Sequence, residues 1–112
     1  MDLKTIVDAL ELEVKSAGSG LQSEVSGAYV SDLLSDVISN SNKGNLWITL
    51  QVHPNIVAVA SLKDLSGIIL VNGRQPEEQT LKKAKEEKIA VLTSRWPTFQ
   101  LVGKLYKLIG EC

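Results

Sequence analysis

The stretch LWITLQVHPNIVAVASLKDLSGIILVNGRQPEEQTLKKAKEEKIAVL, from Leu46 to Leu92, decides the fold. It holds three short apolar runs, Leu46-Trp47-Ile48-Thr49-Leu50, Ile68-Ile69-Leu70-Val71 and Ile89-Ala90-Val91-Leu92, each of strand length and rich in residues that suit a pleated surface. Between them lie two segments of helical character, about Asn55 to Asp64 and about Glu77 to Lys88, and a third follows from Thr98 to Ile109. Strands that are apolar throughout and alternate with helices imply a parallel sheet covered on both faces, joined by right-handed crossovers. The segment Ile56-Val57-Ala58-Val59-Ala60 is rich in β-branched residues and also fits a strand, so both readings stand there.

Outward from this unit the signals are more local. Asn42-Lys43-Gly44-Asn45 reads as the turn that launches the Trp47 strand. Ser31 and Ser35 offer two overlapping helix starts, predicting a helix from about Ser31 to Asn40, and Glu24 to Val30 reads as a strand interrupted by Gly27. Leu3, Ile6, Val7 and Leu10 recur at helical spacing and predict a helix over residues 3 to 10, followed by an extended piece at Leu12-Glu13-Val14. Ser16-Ala17-Gly18-Ser19-Gly20 breaks the chain as a loop, since the flanking segments are too small to stand alone. The expectation is an α/β domain spanning 1-112, with a mostly parallel sheet and helices on both faces.

Composition narrows the function classes. The 112 residues, 44% hydrophobic and 22% charged, suffice for one core. A formal net charge of -1 gathers neither nucleic acid nor an anionic membrane, and the few aromatics are not interleaved with basic residues. The N-terminus is polar where a signal peptide is apolar, and no run nears the roughly 18 apolar residues that span a bilayer, so a cytoplasmic protein is expected. Cys112 is the single cysteine and forms no internal disulfide, which fits a reducing compartment.

In an open parallel sheet, ligands bind beyond the carboxyl ends of the strands, where loops and helix N-termini converge. Three loops are expected there: Gln51-Val52-His53-Pro54-Asn55, Asn72-Gly73-Arg74-Gln75-Pro76 and Thr93-Ser94-Arg95-Trp96-Pro97. Their polar groups suit an anion or a nucleotide. Each also has a plain structural use: Asn72-Gly73 tolerates positive φ, Pro76 suits a first helical turn, and Asn55 caps the helix after His53-Pro54. Arg74 and Arg95 either contact a ligand, stay solvated or pair with neighbours such as Glu77 and Glu78. Asp32 and Asp36, four apart on one helical face, either present two carboxylates or complement a helix start. The run from Glu77 to Lys88 reads as a solvated face with intrahelical ion pairs. One histidine without a cysteine or histidine cluster implies no metal.

The sequence holds no G-x-x-x-x-G-K-[ST], G-x-G-x-x-G, G-x-S-x-G, H-E-x-x-H or C-x-x-C, and no cofactor is implied. On the last helix, Phe99, Leu101, Val102, Leu105, Tyr106, Leu108 and Ile109 cover about half the cylinder, wider than the roughly 100° that one packing face needs. The excess is either buried in the same domain or covered by self-association.

Across GAYVSDLLSDV (Gly27 to Val37), LWITLQVHPNIVAVA (Leu46 to Ala60) and GIILVNGRQP (Gly67 to Pro76), the chain resembles the DRTGG domain family over nearly its whole length. Where longer relatives read Leu-Thr-Gly-Gly, this sequence has Leu70-Val71-Asn72-Gly73, and His53-Pro54-Asn55 stands where they have Gly-Asp-Arg. The resemblance implies a fold like the N-terminal domain of HPr kinase/phosphorylase, a regulatory role such as the family has beside phosphotransacetylases and pyrophosphatases, and a homodimer or other oligomer contact. This chain looks like a stand-alone member. The resemblance implies no catalysis, because the Walker loop of HPr kinase lies in a separate domain.

Three functions compete at this point. The first is a non-enzymatic regulatory or assembly domain that homodimerises and takes a small anionic or nucleotide-like ligand, with Ser31, Asp32, His53, Asn55, Asn72, Gly73, Arg74 and Thr93 as the candidate edge. The second is an interaction subunit for a metabolic enzyme or signalling protein, with no ligand. The third is a small phosphate-transferring or hydrolytic enzyme that uses His53 or the Asp32 and Asp36 pair as acid or base.

Overall fold

The computed structural model describes Met1 to Gly110, so Cys112 lies outside the described residues. The elements run α1 (Leu3–Leu10), β1 (Glu13–Ala17), β2 (Gly27–Val30), α2 (Leu34–Asn40), β3 (Asn45–Thr49), α3 (Asn55–Leu62), β4 (Gly67–Leu70), α4 (Glu78–Glu87), β5 (Ala90–Thr93) and α5 (Thr98–Ile109). Five strands form one sheet in the order β1-β5-β4-β3-β2, with β2 to β5 parallel and β1 antiparallel to β5. The mostly parallel α/β architecture expected from the Leu46 to Leu92 stretch is present.

Strand residues alternate between two cores, as the pleat requires. Leu46, Ile48, Ile69, Val71 and Leu92 pack under α1 and α5 with Leu3, Ile6, Leu101 and Leu105. Trp47, Ile68, Leu70 and Val91 pack on the other face against Val37 of α2, Ile56, Val57 and Ala60 of α3, and Ala84 of α4. Two helices therefore serve one face and three serve the other. The indole of Trp47 is fully buried, and its Nε1 donates to the Ser31 carbonyl at 2.8 Å, tying the end of β2 to β3. α1 starts at Asp2, whose carboxylate accepts from the Thr5 amide and hydroxyl at 3.0 and 2.6 Å.

Several local expectations are corrected. The helix expected from about Asn55 to Asp64 is present as α3, and only the strand alternative for Ile56 to Ala60 falls, because buried Ile56, Val57, Val59 and Ala60 pack onto the sheet as helical residues. α2 begins at Leu34 and not at Ser31: the Ser31 Oγ accepts from the Leu33 amide at 3.1 Å, closing a turn before the helix, and Leu33 sits at the cap without a side-chain bond. Strand β2 begins at Gly27, three residues after Glu24. The Ser16 to Gly20 break starts later than read, since Ser16 and Ala17 pair with Val91 and Ala90 and only then does the chain turn at Gly18. A Cβ at Gly18 would lie 2.8 Å from the Ala90 backbone nitrogen, so the close β1-β5 approach and a φ of +64° both require glycine. The solvated face of α4 forms no intrahelical ion pair among the described residues. Among the described residues no helix is long and apolar enough to cross a membrane.

Candidate functional site

The carboxyl ends of β2, β3, β4 and β5 lie side by side, so the chain segments that follow them form one polar edge. Ser31 and Asp32 follow β2, His53 and Asn55 follow β3, Asn72, Gly73 and Arg74 follow β4, and Thr93 ends β5. All eight candidate residues thus fall at this edge. The N-terminal ends of α3, α4 and α5 point to it as well.

The potential acids and bases there have structural employment. Asp32 precedes α2, and one of its carboxylate oxygens accepts from the Thr49 hydroxyl and the Leu50 amide, both at 2.8 Å, which secures the end of β3 to the β2 loop. The Asp32 carbonyl accepts from the Gln51 side chain at 3.0 Å. Asp36 lies in the first turn of α2 and takes bonds from the Tyr29 hydroxyl and, at 2.9 Å, the Asn40 amide. The expected shared helical face for Asp32 and Asp36 is therefore overturned: Asp32 is outside the helix and turned to β3. The Ser31 hydroxyl, with the Asn40 amide and the Tyr29 hydroxyl, holds the Asp36 carboxyl below the ordinary carboxylate range. Conversely, the hydrogen bond to Asp36, helped by desolvation, pushes the Tyr29 hydroxyl upward.

His53 Nδ1 accepts from the Asn55 amide at 3.0 Å. This reverses the expected cap: the histidine satisfies a free N–H at the start of α3, while Asn55 is already in the helix and Pro54 occupies the cap position. Pro76 similarly stands before the cap residue Glu77 and outside the first turn of α4; the Val52 carbonyl instead receives the Glu77 amide and the Thr80 hydroxyl. Thr93 is buried in the strand end.

The loops after β4 and β5 are joined by backbone bonds. Asn72 N–H donates to the Trp96 carbonyl at 2.8 Å, and Gly73 N–H to the Ser94 carbonyl at 2.9 Å. Asn72 and Gly73 both have positive φ, as an Asn-Gly pair tolerates. Arg74 and Arg95 are exposed on these joined loops, and neither forms an ion pair among the described residues, so of the two plain structural uses solvation holds and pairing with Glu77 or Glu78 does not. Beside Arg95 a hollow of about 450 Å³ is lined by Leu10, Glu11, Ser94, Arg95 and Trp96. Trp96 is 43% exposed, with the Lys104 ammonium 4.5 Å from its ring centre. Ser94, Arg95 and Trp96, in the third of the expected edge loops, join the eight candidate residues at this edge. Among the described residues no group of three or more His, Cys, Asp or Glu side chains could hold a metal ion.

No family model matches the sequence, and no curated protein matches it. Among solved structures, the chain is similar to the CBS and DRTGG domains of the regulatory region of Clostridium perfringens pyrophosphatase, a structure complexed with the activator diadenosine tetraphosphate. The TM-score is 0.68 at 19% identity, over 91% of this chain and 46% of that one. The fold is DRTGG-like. This DRTGG-like chain spans under half the length of the structure it matches.

Proposed function

We propose that this chain is a non-enzymatic regulatory module that homodimerises and binds a small anionic, nucleotide-like ligand at the strand-end edge. The observation that carries the reading is the division of labour there. The Asp32 and Asp36 carboxylates and the His53 Nδ1 accept bonds from the chain's own amide and hydroxyl groups, whereas Arg74, Arg95 and the Trp96 ring face solvent on two loops zipped together, with Glu11 beside Arg95. A guanidinium suits phosphate, and an exposed indole suits a stacked base. Ser31, Asp32, His53, Asn55, Asn72, Gly73 and Thr93 shape the edge, and Arg74 makes the contact. The regulatory region that shares this fold carries a dinucleotide polyphosphate activator, which makes that compound class the first to try.

Thermal shift and calorimetric titration with diadenosine tetraphosphate, ATP and inorganic phosphate test the reading. A ligand that binds only the folded state raises Tm by mass action. The expected result is a rise with at least one nucleotide that is lost in Arg74→Ala and Arg95→Ala while the ligand-free Tm stays unchanged. No binding heat and no shift with any of the three would overturn the ligand half and leave the assembly subunit.

A further inference from the structure

The two-helix face of the sheet is one helix short. Two helices of ~10 Å diameter fall about one strand short of covering five strands spaced ~4.8 Å apart. The strand left at the margin is β2. Tyr29 packs toward the opposite face, while Ala28 and Val30 stay exposed, Val30 to 46%. With Ile48 they floor an apolar groove of about 210 Å³ whose wall is Val102, Leu105, Tyr106 and Ile109 of α5. Along α5, Leu101 and Leu105 enter the core, but Phe99, Val102, Tyr106 and Ile109 recur at spacings of three and four as a second stripe beside it. Phe99 is 87% exposed and Tyr106 59%.

We infer that a second copy of this chain fills the groove, with β2 pairing antiparallel to its counterpart across a two-fold axis and the α5 stripes closing over the joint. Three observations select this occupant. First, an isologous contact sets a patch against itself, so charged residues near the axis meet their like; among the described residues the groove lining, which also includes Gly110, has none, and Lys104 and Lys107 line a separate hollow with Ala9 and Leu10 of α1. Second, the patch carries both the recess and the side chains to fill it. Pairing of β2 with β2 keeps both α5 helices on one face of a ten-stranded sheet. Since α5 packs against β3, the two helices then stand three strand spacings apart, about 14 Å. That exceeds the 8–10 Å of ordinary helix packing by a few ångströms, the room that Phe99 and Tyr106 from each copy occupy. Third, the area is adequate. Phe99 and Tyr106 expose about 300 Å² of aromatic surface per copy, so two copies supply about half of the ~1,200 Å² of a specific interface before Val30, Val102, Ile109 and the strand edge are added.

This rests on the assembly half of the proposed function. Its test is light scattering on the full chain across micromolar to submillimolar concentration, with Val30→Lys, Tyr106→Glu and, on the opposite sheet edge, Val14→Lys. All three positions are exposed, so circular dichroism should show unchanged folding. The expected result is a dimer in the parent and in Val14→Lys, with the dimer dissociation constant raised by at least about tenfold in Val30→Lys and in Tyr106→Glu, the change that ~1.4 kcal/mol produces. A monomeric parent overturns the inference, including the case in which a foreign protein occupies the groove. So does a dimer indifferent to both groove substitutions, or one lost only in Val14→Lys. The nucleotide titration is repeated on the Val30→Lys protein, which separates failure of the dimer from failure of ligand binding.

Discussion

β1 and β2 are both edge strands of the same sheet, and they differ in every feature that discourages pairing. β1, Glu13-Val14-Lys15-Ser16-Ala17, carries two charged side chains and a bulge between Val14 and Ser16, and it runs antiparallel to its neighbour. β2, Gly27-Ala28-Tyr29-Val30, is uncharged, free of proline and regular in register along β3. An unpaired row of N–H and C=O groups is a template for another strand unless charge, bulge or cover blunts it. One edge is blunted and the other is bare, next to a groove that α5 does not cover. The contrast teaches that the two edges of this sheet are not equivalent: β1 is built against strand pairing and β2 is not, which is why the proposed self-association is placed at β2.

The sharpest way to break the comparison is to remove what holds β2 in place. Trp47→Ala deletes a fully buried indole and the bond to the Ser31 carbonyl, and should cost about 3–5 kcal/mol in denaturant unfolding, with β2 loosened first. At the blunted edge, Gly18→Ala sets a side chain against the Ala90 backbone at positive φ and should cost about 1–3 kcal/mol, weakening β1 without changing oligomeric state by light scattering. At the polar edge, Asp32→Ala removes two bonds that join the β2 and β3 loops, and should cost about 1–2 kcal/mol; equal stability of parent and variant would show that Asp32 is free for other work.

The smallest effect is one of pH. The folded state holds the Asp36 carboxyl below its unfolded value of about 3.9, so the unfolded chain binds the proton more tightly. Its contribution is present above that value and is lost as pH falls through the lower folded value. Asp36→Asn should therefore flatten the decline of stability below about pH 4 and leave the slope near neutrality unchanged, as equilibrium unfolding at several pH values will show.

Much of this architecture was legible in the sequence. The apolar runs at Leu46, Ile68 and Ile89 mark strands buried on both faces, and the bounds of α1 and α5 follow from helical spacing alone. What could not be read is decided by contacts far apart in sequence. Ser16 and Ala17 looked like loop residues because their pairing partners, Val91 and Ala90, lie more than seventy positions away. Ser31 carried a helix-start signal, yet its hydroxyl closes a preceding turn while Asp32 is drawn to Thr49 and Leu50 on β3. His53 and Asn55 exchanged roles because Nδ1 reaches the amide two residues on. The wide apolar arc of α5 was visible, but only the uncovered strip over β2 shows which part of it remains open. All eight candidate site residues reach the same edge because a parallel sheet sends every crossover loop to its carboxyl end.

Amide hydrogen exchange at low and high protein concentration compares the two edges in a single experiment. The account predicts that protection across Gly27 to Val30 and along Phe99 to Ile109 rises with concentration, while the Glu13 to Ala17 edge and the Asn72 to Arg74 loop do not change. Exchange at β2 that is the same at both concentrations, or protection gained at β1 instead, would contradict it.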